Sequence, residues 1–432
     1  RELLAIITSP THPGYAALTK KNTQVLVDDA SMLEDTATKA YGWTCEAESL
    51  RAAASGDALL TQLADLLQLW IERTRNFQDV RYLSLSDLNG SDAMGLRDRI
   101  DEVLSKGLTP QAEKSLTEAK KILDPANLQH RIAWIEQWQN GALVLSSVPE
   151  KLGLLLQENL FEKVATTLII PHRSAGFLPE LLPPGGGAKA PLVTAQEWEH
   201  VPLALDTALT PEIFLQTPPE GKSILLVPSK SMAEALYVKF AERMEELSVT
   251  LICQGMSGGQ GRMQAEFIAA EAPAIWILTP YSFEGMDLPA GTVDQLAIKA
   301  LPFDHPSHTV LSRRAQHYRN AFEEYLLPRL LHRLFRVLRT FSRFKTDSAG
   351  VFIMDPRIEQ KEYGKTIMAY LNSITSPASE EAKPAVSGLG SGKPKSFPPK
   401  EKSDASVKAP KVKVVKPKAA KKKVDDVQLP LL

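Results

Sequence analysis

The stretch from Ile275 to Arg357 constrains the fold more than any other part of the chain. Three short apolar runs, at 274–278, 293–298 and 350–354, are each followed closely by a turn that contains Pro, and a long helical pattern separates the last two. Short buried strands that alternate with helices are typical of a parallel sheet with helices on both faces. Ligands of such sheets bind outside the carboxyl ends of the strands. The sequence therefore predicts an α/β fold with its site at that edge.

The predicted helix after Pro328 has two different faces. One face is apolar and carries Leu327, Leu331, Leu334, Leu338 and Phe341. A separate stripe is basic and carries Arg329, Arg333, Arg336 and Arg343. Guanidinium forks match phosphate geometry and stay charged. The stripe is either a phosphate-binding surface or a plain exposed basic face, and the residues alone leave both interpretations open.

Four spaced blocks in this stretch resemble the second motor domain of DinG/XPD-type superfamily 2 DNA helicases. They read EG-x-D-L-P, LPF-x-x-P, N-A-F-x-x-Y-x-x-P and D-P-R-I followed by Y-G-K. The matching positions are Glu284, Gly285, Asp287 and Pro289; Leu301, Pro302, Phe303 and Pro306; Asn320, Phe322, Tyr325 and Pro328; Asp355, Pro356, Arg357, Tyr363, Gly364 and Lys365. Weaker similarity extends from Thr8 to about Leu371. The resemblance implies two RecA-like motor domains that use ATP and Mg²⁺ to translocate 5′ to 3′ on single-stranded DNA.

Two carboxylates follow a short apolar run near the start of the chain. Residues 24–27 read as a strand, and Asp28 and Asp29 come directly after it. Paired acids in this place can hold Mg²⁺ through water and orient an attacking water, although Asp is also common at a plain strand-to-turn junction. The resemblance matches Asp28 to the metal-holding Asp of Asp-Glu-Ala-His and Asp29 to its catalytic Glu. Ser31 stands in the place of the His.

The resemblance also implies roles for residues of the second motor domain. Glu284, Gly285 and Asp287 would link nucleotide and DNA, and Ser229, Lys230 and Arg336 would contact DNA. The family's Gln-Gly-x-Gly-Arg-x-x-Arg falls on residues 336–343. Arg343 matches its last arginine and would meet the γ-phosphate, with Arg339 as a neighbour. Thr340 occupies the place of the first arginine.

Four departures from the family pattern support a competing hypothesis. They are Asp29, residues 171–174, Thr340, and a phosphate-cradling G-x-x-x-x-G-K-[ST] loop, which is not among these 432 residues. Gly221-Lys222-Ser223 is not such a loop, because Gln216 stands where the upstream Gly should be. A catalytically degenerate DNA-binding adaptor, tethered to a sliding clamp, is therefore the alternative to an active helicase.

The pattern of elements predicts a domain organisation in six parts. Residues 1–35 are the remainder of the first RecA-like domain, with a strand at 3–8, and residues 141–205 return to it. Residues 36–140 are mostly helical, with Trp134 and Trp138 in the core, and are similar to the arch inserted in DinG/XPD proteins. Residues 206–372 form the second RecA-like domain, 373–427 a disordered Lys/Pro-rich tail and 428–432 a clamp-binding peptide. The first residue is Arg, which suggests a fragment or a missing start.

The tail differs in charge from the rest of the chain. It holds thirteen Lys and six acidic residues from Ser373 onward, whereas the whole chain has a net charge of −1. Lys421, Lys422 and Lys423 could bind the DNA backbone without sequence preference, or could simply keep the protein in solution. The end of the tail resembles the bacterial clamp-binding pentapeptide and consists of Gln428, Leu429, Pro430, Leu431 and Leu432.

Composition places the chain among globular proteins of a reducing compartment. Two cysteines are too few for a disulfide framework, and no apolar run reaches the ~20 residues of a membrane span. With the clamp-like peptide, these features predict a bacterial cytoplasmic protein. An iron–sulfur module, which many members of the resembled family carry, cannot be assessed from these residues.

Overall fold

The structure is a computed structural model that describes residues 2–8, 12–20, 23–54, 56–138, 140–170, 192–194, 203–305 and 308–375. Its strands are β1 (Gln24–Val27), β2 (Trp43–Glu46), β3 (Val80–Tyr82), β4 (Arg131–Gln137), β5 (Leu143–Pro149), β6 (Ala165–Ile170), β7 (Leu192–Thr194), β8 (Leu203–Leu205), β9 (Lys222–Leu226), β10 (Thr250–Cys253), β11 (Ala274–Leu278), β12 (Val293–Ile298) and β13 (Lys345–Ile353).

The helices fall between these strands. They are α1 (Glu2–Thr8), α2 (Tyr15–Leu18), α3 (Leu33–Ala40), α4 (Ala47–Ala53), α5 (Ala58–Arg75), α6 (Leu85–Leu88), α7 (Ser91–Leu104), α8 (Pro110–Leu123), α9 (Gly153–Leu156), α10 (Pro211–Gln216), α11 (Lys230–Glu246), α12 (Gln260–Ala269), α13 (Pro280–Glu284), α14 (Thr309–Ala315), α15 (Leu327–Phe344), α16 (Arg357–Gln360) and α17 (Tyr363–Thr375). Short 3-10 turns cover Ala30–Met32 and Pro125–His130, and π turns cover Gln157–Phe161 and Phe322–Leu326.

The second lobe is built on a six-stranded parallel sheet in the order β10-β11-β9-β12-β13-β8. Alternate side chains of each strand enter two different cores. Ile224 and Trp276 pack on the side of α15, whereas Leu225 and Ile275 pack on the side of α11. Because both faces are covered, the strands are apolar without alternation. The predicted strands and the amphipathic helix after Pro328 are confirmed.

The first lobe contains a three-stranded parallel sheet in the order β1-β6-β7. The segment expected as a strand at residues 3–8 is instead the helix α1. Leu4 and Ile7 lie one turn apart and are both buried in the core of this lobe. A short apolar run does not by itself distinguish a strand from a helix, and here the helical spacing of the two buried residues prevails.

Within the first lobe, between β1 and β6 in the sequence, lies an insertion that combines helices with a four-stranded antiparallel sheet in the order β2-β5-β4-β3. The predicted helices are present within 36–140, for example α5 and α8, but the strands in this range were not predicted. Most of β4 is buried, because Ala133 and Ile135 enter the helical core whereas Ile132 and Trp134 pack against Val310 of α14. Burial on both faces removes the alternation that marks a strand. Trp134 is buried as expected, whereas Trp138 is half-exposed.

Two strands depart from the predicted domain boundaries. β5 was expected to return to the first lobe, but it pairs with β2 and β4 in the antiparallel sheet. β8 lies upstream of residue 206, yet it pairs with β13 at the edge of the second sheet. A three-residue strand is too short to show a period, so only its neighbour places it. In the described part of the chain, no helix has the length and apolar character that crossing a membrane requires.

Candidate functional site

The arginine stripe of α15 faces the first lobe. Pro328 stands in the first turn of α15, where its missing N–H costs nothing, and the apolar side of the helix is buried in the second-lobe core. The opposite side carries arginines at spacings of three, four and seven residues, which align along one face. Each of Arg329, Arg333, Arg336 and Arg343 lies within 4 Å of a carboxylate. The stripe is therefore a row of ion pairs and not a plain solvated face.

A continuous path of hydrogen bonds links Asp29 to the second lobe. The Asp29 carboxylate accepts from the backbone N–H of Ser31 at 2.9 Å and also from the Ser31 hydroxyl. Arg336 donates from Nη1 to Ser31 Oγ at 2.7 Å and from Nε to Glu284 Oε2 at 2.9 Å. Burial raises the pKa of the Glu284 carboxyl, and Arg336 and Arg333 counter part of that effect. The guanidinium of Arg336 thus connects the expected Asp-Glu-Ala-His position to Glu284 at the end of α13.

A second group of buried charges is centred on Glu34, three residues beyond Ser31 in the first lobe. Glu34 of α3 is fully buried and pairs with Arg314 at 2.9 Å and with Arg329 at 3.0 Å, and it accepts a hydrogen bond from the Tyr325 hydroxyl. Arg329 also reaches Asp304 at 2.6 Å. Burial would lower the pKa of Arg329, but Glu34, Asp35 and Asp304 together outweigh it, so that pKa is raised. We call Glu34, Arg314, Tyr325, Arg329 and Asp304 the buried ion cluster.

No pattern in the sequence predicts this cluster. Glu34 and Arg314 are 280 residues apart, and Glu34 and Arg329 are 295 residues apart. Tyr325 matched a family motif, but nothing assigned its hydroxyl to an acid. The contact is identified only by the folded structure, in which a Glu on the buried side of α3 lies next to two buried arginines.

Arg343 and Asp287 lie at the outer end of the same row. They form a pair of 3.1 Å, with side chains 58% and 86% exposed. Arg343 is seven residues beyond Arg336, so the two lie about 10 Å apart along one helix face. Arg339 and Gly285 are exposed, as is Asp28 on the first lobe. The predicted site residues therefore separate into a buried part around Arg336 and an exposed part around Arg343.

Arg336 was expected to contact DNA, but its guanidinium is occupied by Glu284 and Ser31, and its side chain is only 13% exposed. Ser229 and Lys230 lie elsewhere, where β9 leads into α11. Ser229 caps that helix by accepting from the N–H of Met232, and Lys230 pairs with Glu234 at 3.5 Å. The predicted sites at 171–174, Pro306, Lys421–Lys423, Gln428–Leu429 and Leu431–Leu432 lie outside the described residues.

Among the described residues, no group of three or more His, Cys, Asp or Glu side chains could hold a metal ion by itself. Asp28 is one exposed carboxylate at the carboxyl end of β1. Mg²⁺ that accompanies a nucleotide needs only one or two carboxylates, since phosphates and waters complete its octahedron. The residues present therefore fit a metal that arrives with a nucleotide, and do not fit an all-protein metal cage.

Comparisons with known proteins concern the sequence family and the fold. A model of the helicase C-terminal domain family matches residues 213–374. The protein named 3′-5′ exonuclease DinG of Bacillus subtilis strain 168 is 26% identical over 176 residues, which cover 39% of this chain and 19% of that protein. The protein named ATP-dependent DNA helicase YoaA of Haemophilus influenzae is 26% identical over 156 residues, which cover 35% and 24%. The chain thus spans about a fifth to a quarter of the length of these relatives.

Solved structures extend the similarity of the fold to most of the chain. A structure of XPD helicase superimposes with a TM-score of 0.54 at 13% identity, covering 83% of this chain and 70% of that one. An apo structure of XPD gives a TM-score of 0.52 at 14% identity, covering 83% and 78%. The chain therefore shares the fold of these XPD structures, with parallel-sheet α/β lobes and an insertion. In sequence, residues 213–374 match the helicase C-terminal domain family, and this part of the chain is similar to DinG-type helicases.

Proposed function

We propose that this chain is the motor portion of an ATP-dependent DNA helicase of the DinG/XPD type, which acts on single-stranded DNA and on single-strand/duplex junctions in repair or replication. The observation that carries the proposal is the path from Asp29 through Ser31 and Arg336 to Glu284. It joins the expected catalytic position of the first lobe to the second lobe through partly buried hydrogen bonds. Coupling between two lobes is what a motor requires, since hydrolysis in one place has to move DNA in another.

The proposed roles follow from position in that path. Asp28 is exposed at the end of β1 and would hold Mg²⁺ through water, which would neutralise charge on the ATP phosphates. Asp29 would orient the attacking water. Arg343, whose present partner Asp287 is exposed, is free to exchange that carboxylate for a γ-phosphate, with Arg339 beside it. Arg336 would act as a contact between the lobes, and the proposed 5′ to 3′ motor activity of this chain would depend on it.

The test is DNA-stimulated ATP hydrolysis by the purified protein beside matched variants. Asp28→Ala and Arg343→Ala are expected to lower the stimulated rate at least tenfold, since each removes charge stabilisation of the transferred phosphoryl group. Arg243→Ala is the control for Arg343→Ala, because Arg243 is also exposed and paired with a carboxylate, Glu246, at 3.0 Å. A stimulated rate that neither Asp28→Ala nor Arg343→Ala changes would rule out the motor mechanism.

A catalytically degenerate DNA-binding adaptor remains the second candidate, and one observation favours it. The Oδ1 atom of Asp29 is used to cap the turn at Ala30–Met32, accepting from both the N–H and the hydroxyl of Ser31. A carboxylate held in this way is the usual cap of a helical turn and is less free to orient water. Under this proposal the protein binds single-stranded DNA with steep salt dependence but shows no ATP hydrolysis above background.

Clamp binding is a separate part of the proposal and depends only on residues 428–432. A peptide with Gln and apolar side chains suits a preformed apolar groove on a partner. Deletion of Gln428–Leu432 should abolish co-precipitation with a purified bacterial sliding clamp and should leave single-stranded DNA binding unchanged. Equal co-precipitation of the deleted and complete chains would contradict clamp binding without affecting the motor.

A further inference from the structure

The second lobe contains a cavity of about 290 Å³ at the carboxyl ends of β9, β10 and β11. Its inner wall is apolar and consists of the buried side chains Met263, Trp276, Leu278 and Met286. Its polar lining comes from Lys230, Gln254, Ser282 and the glycines of the loop between β10 and α12. An apolar interior with a few placed polar groups is the usual composition of a small-molecule pocket.

Gln254 presents a fixed donor at this cavity. Its Oε1 accepts from the backbone N–H of Thr279 at 2.9 Å and from the Thr279 hydroxyl at 3.1 Å, which fixes the orientation of the amide. Its Nε2 has no partner among the described residues, although the side chain is partly buried. A primary amide has two N–H donors. Those donors are therefore available to an acceptor on a molecule within the cavity, such as a ring nitrogen or a carbonyl oxygen.

Lys230 supplies a positive charge to the same cavity. Its side chain crosses close to Gly255, which has φ +92°, so that any larger residue at 255 would be strained and would meet the lysine. The ammonium pairs with Glu234 at 3.5 Å, and the two side chains are 58% and 36% exposed. Ion pairs of this exposure contribute little free energy, so a phosphate can replace the carboxylate at small cost.

The geometry points to a site for one nucleotide unit, with its base in the apolar cavity, its base edge on Gln254 and its phosphate at Lys230. The inference rests on the proposed function, under which the unit belongs to single-stranded DNA. It adds to that function a contact between the second lobe and one base of the DNA strand. Stacking of a base on an aromatic side chain, which here would be Trp276, is worth roughly 1–3 kcal/mol, which is about fivefold or more in affinity. A free nucleotide carries the same chemistry and is the other source of such a ligand.

The closing experiment measures fluorescence anisotropy of the complete chain with a labelled single-stranded oligonucleotide and with an abasic oligonucleotide of the same length. The wild-type chain is expected to bind the base-bearing strand about fivefold or more tightly. Ser282→Trp places a bulky ring at the cavity and should remove that preference while leaving the affinity for the abasic strand unchanged. Lys230→Ala should weaken binding of both strands. It should also reduce the slope of the logarithm of affinity against the logarithm of salt concentration by about one, as expected for the loss of one phosphate contact.

Lys239→Ala is the control for Lys230→Ala, since Lys239 is an exposed lysine of the same helix and is not part of the cavity lining. Equal binding of base-bearing and abasic strands by the wild-type chain would overturn the base site, even if DNA-stimulated ATP hydrolysis is present. Displacement of the labelled strand by deoxyadenosine monophosphate, lost in Lys230→Ala, would assign the cavity to free nucleotides. A chain that binds neither strand and hydrolyses no ATP would overturn the proposed function together with the DNA site.

Discussion

At the scale of single residues, Arg336 and Arg343 show how burial changes the contribution of an ion pair to the free energy of unfolding. Both lie on the same face of α15 and both contact a carboxylate of the segment after β11. Arg336 is 13% exposed and its partner Glu284 is 9% exposed, whereas Arg343 and Asp287 are mainly in solvent. A buried partner left without its hydrogen bond costs free energy, while an exposed one is rehydrated.

We therefore expect Arg336→Ala to lower the free energy of unfolding by about 1–3 kcal/mol, because Glu284 would remain buried without its closest partner. Arg343→Ala should change it by less than about 0.5 kcal/mol, as is usual for an exposed pair. Urea unfolding followed by circular dichroism measures both values. Equal effects of the two substitutions would contradict a stabilising role for the partly buried path between Asp29 and Glu284.

Asp355 gives a pH-dependent prediction. Its carboxylate accepts from the backbone N–H groups of Leu301 at 2.7 Å and Arg357 at 3.0 Å, and also from the Arg357 side chain. Burial by itself would raise the pKa of Asp355, but these hydrogen bonds outweigh it, so the pKa is lowered. A lowered carboxyl pKa contributes stability that is present above the unfolded value of about 4 and is lost as the pH falls through the folded value.

We expect Asp355→Asn to be less stable than wild type by about 1–3 kcal/mol at pH 7, and the difference to shrink below about pH 4. Unfolding free energies from urea titrations between pH 7 and pH 3 test this. Asp347→Asn, at an exposed position of β13, is the control and should track the wild type at every pH. A difference for Asp355→Asn that stays constant with pH would show that the lost contacts do not depend on charge.

At the scale of elements, Gly364 explains one of the sequence motifs in terms of packing. It lies near the start of α17, where a Cβ atom would overlap the backbone of Ile358 in α16. The backbone of one helix can approach the other only where a side chain is missing. The packing of α17 against α16 therefore requires the glycine of the Y-G-K block. Gly285, in contrast, faces open space, so packing does not require a glycine there.

We expect Gly364→Ala to destabilise the protein by about 1–3 kcal/mol, as overpacking against a backbone does. Gly95→Ala is the matched control, because Gly95 lies within α7 and faces open space. The same substitution there should stabilise the helix by about 0.5–1 kcal/mol. Thermal unfolding of the two variants should therefore shift in opposite directions, and a shift in the same direction would show that helix α17 can move away from α16.

At the scale of the whole molecule, the buried ion cluster fastens the first lobe to the second. Glu34 belongs to α3, which follows β1, whereas Arg314 and Arg329 belong to α14 and α15. Arg314 also donates to the carbonyl oxygens of Pro149 and Glu150 at the end of β5, so one guanidinium connects α14 to two other parts of the chain. Removing one member of a buried charge group leaves the others desolvated and unpaired.

We expect Glu34→Gln to cost about 3–5 kcal/mol, and to make the lobes unfold in separate steps, because the most buried contact between them is disrupted. Asp65→Asn breaks the exposed pair with Arg51 and should cost less than about 1 kcal/mol. Calorimetry distinguishes one cooperative transition from two. A single transition for Glu34→Gln, displaced by no more than that of Asp65→Asn, would contradict the role of the cluster.

The sequence by itself determined the elements of the second lobe and the class of the protein. Strands such as residues 274–278 and the amphipathic helix α15 are set by local hydrophobic periodicity, and the motif blocks carry the resemblance that the comparisons confirm. Local signals failed where an element is short or buried on both faces, as with α1, β4 and β8. In those elements, tertiary contacts determine the secondary structure, and the hydrophobic periodicity of the sequence does not.

Only the tertiary structure decided how the candidate site is assembled. It paired Arg336 with Ser31, 305 residues away along the chain, and brought Arg314 to Glu34 across 280 residues. It also collected Lys230, Gln254 and Trp276 around one cavity at the ends of three strands. The energy of a buried charge or an apolar wall depends on what surrounds it after folding, and those surroundings come from parts of the chain that share no local pattern.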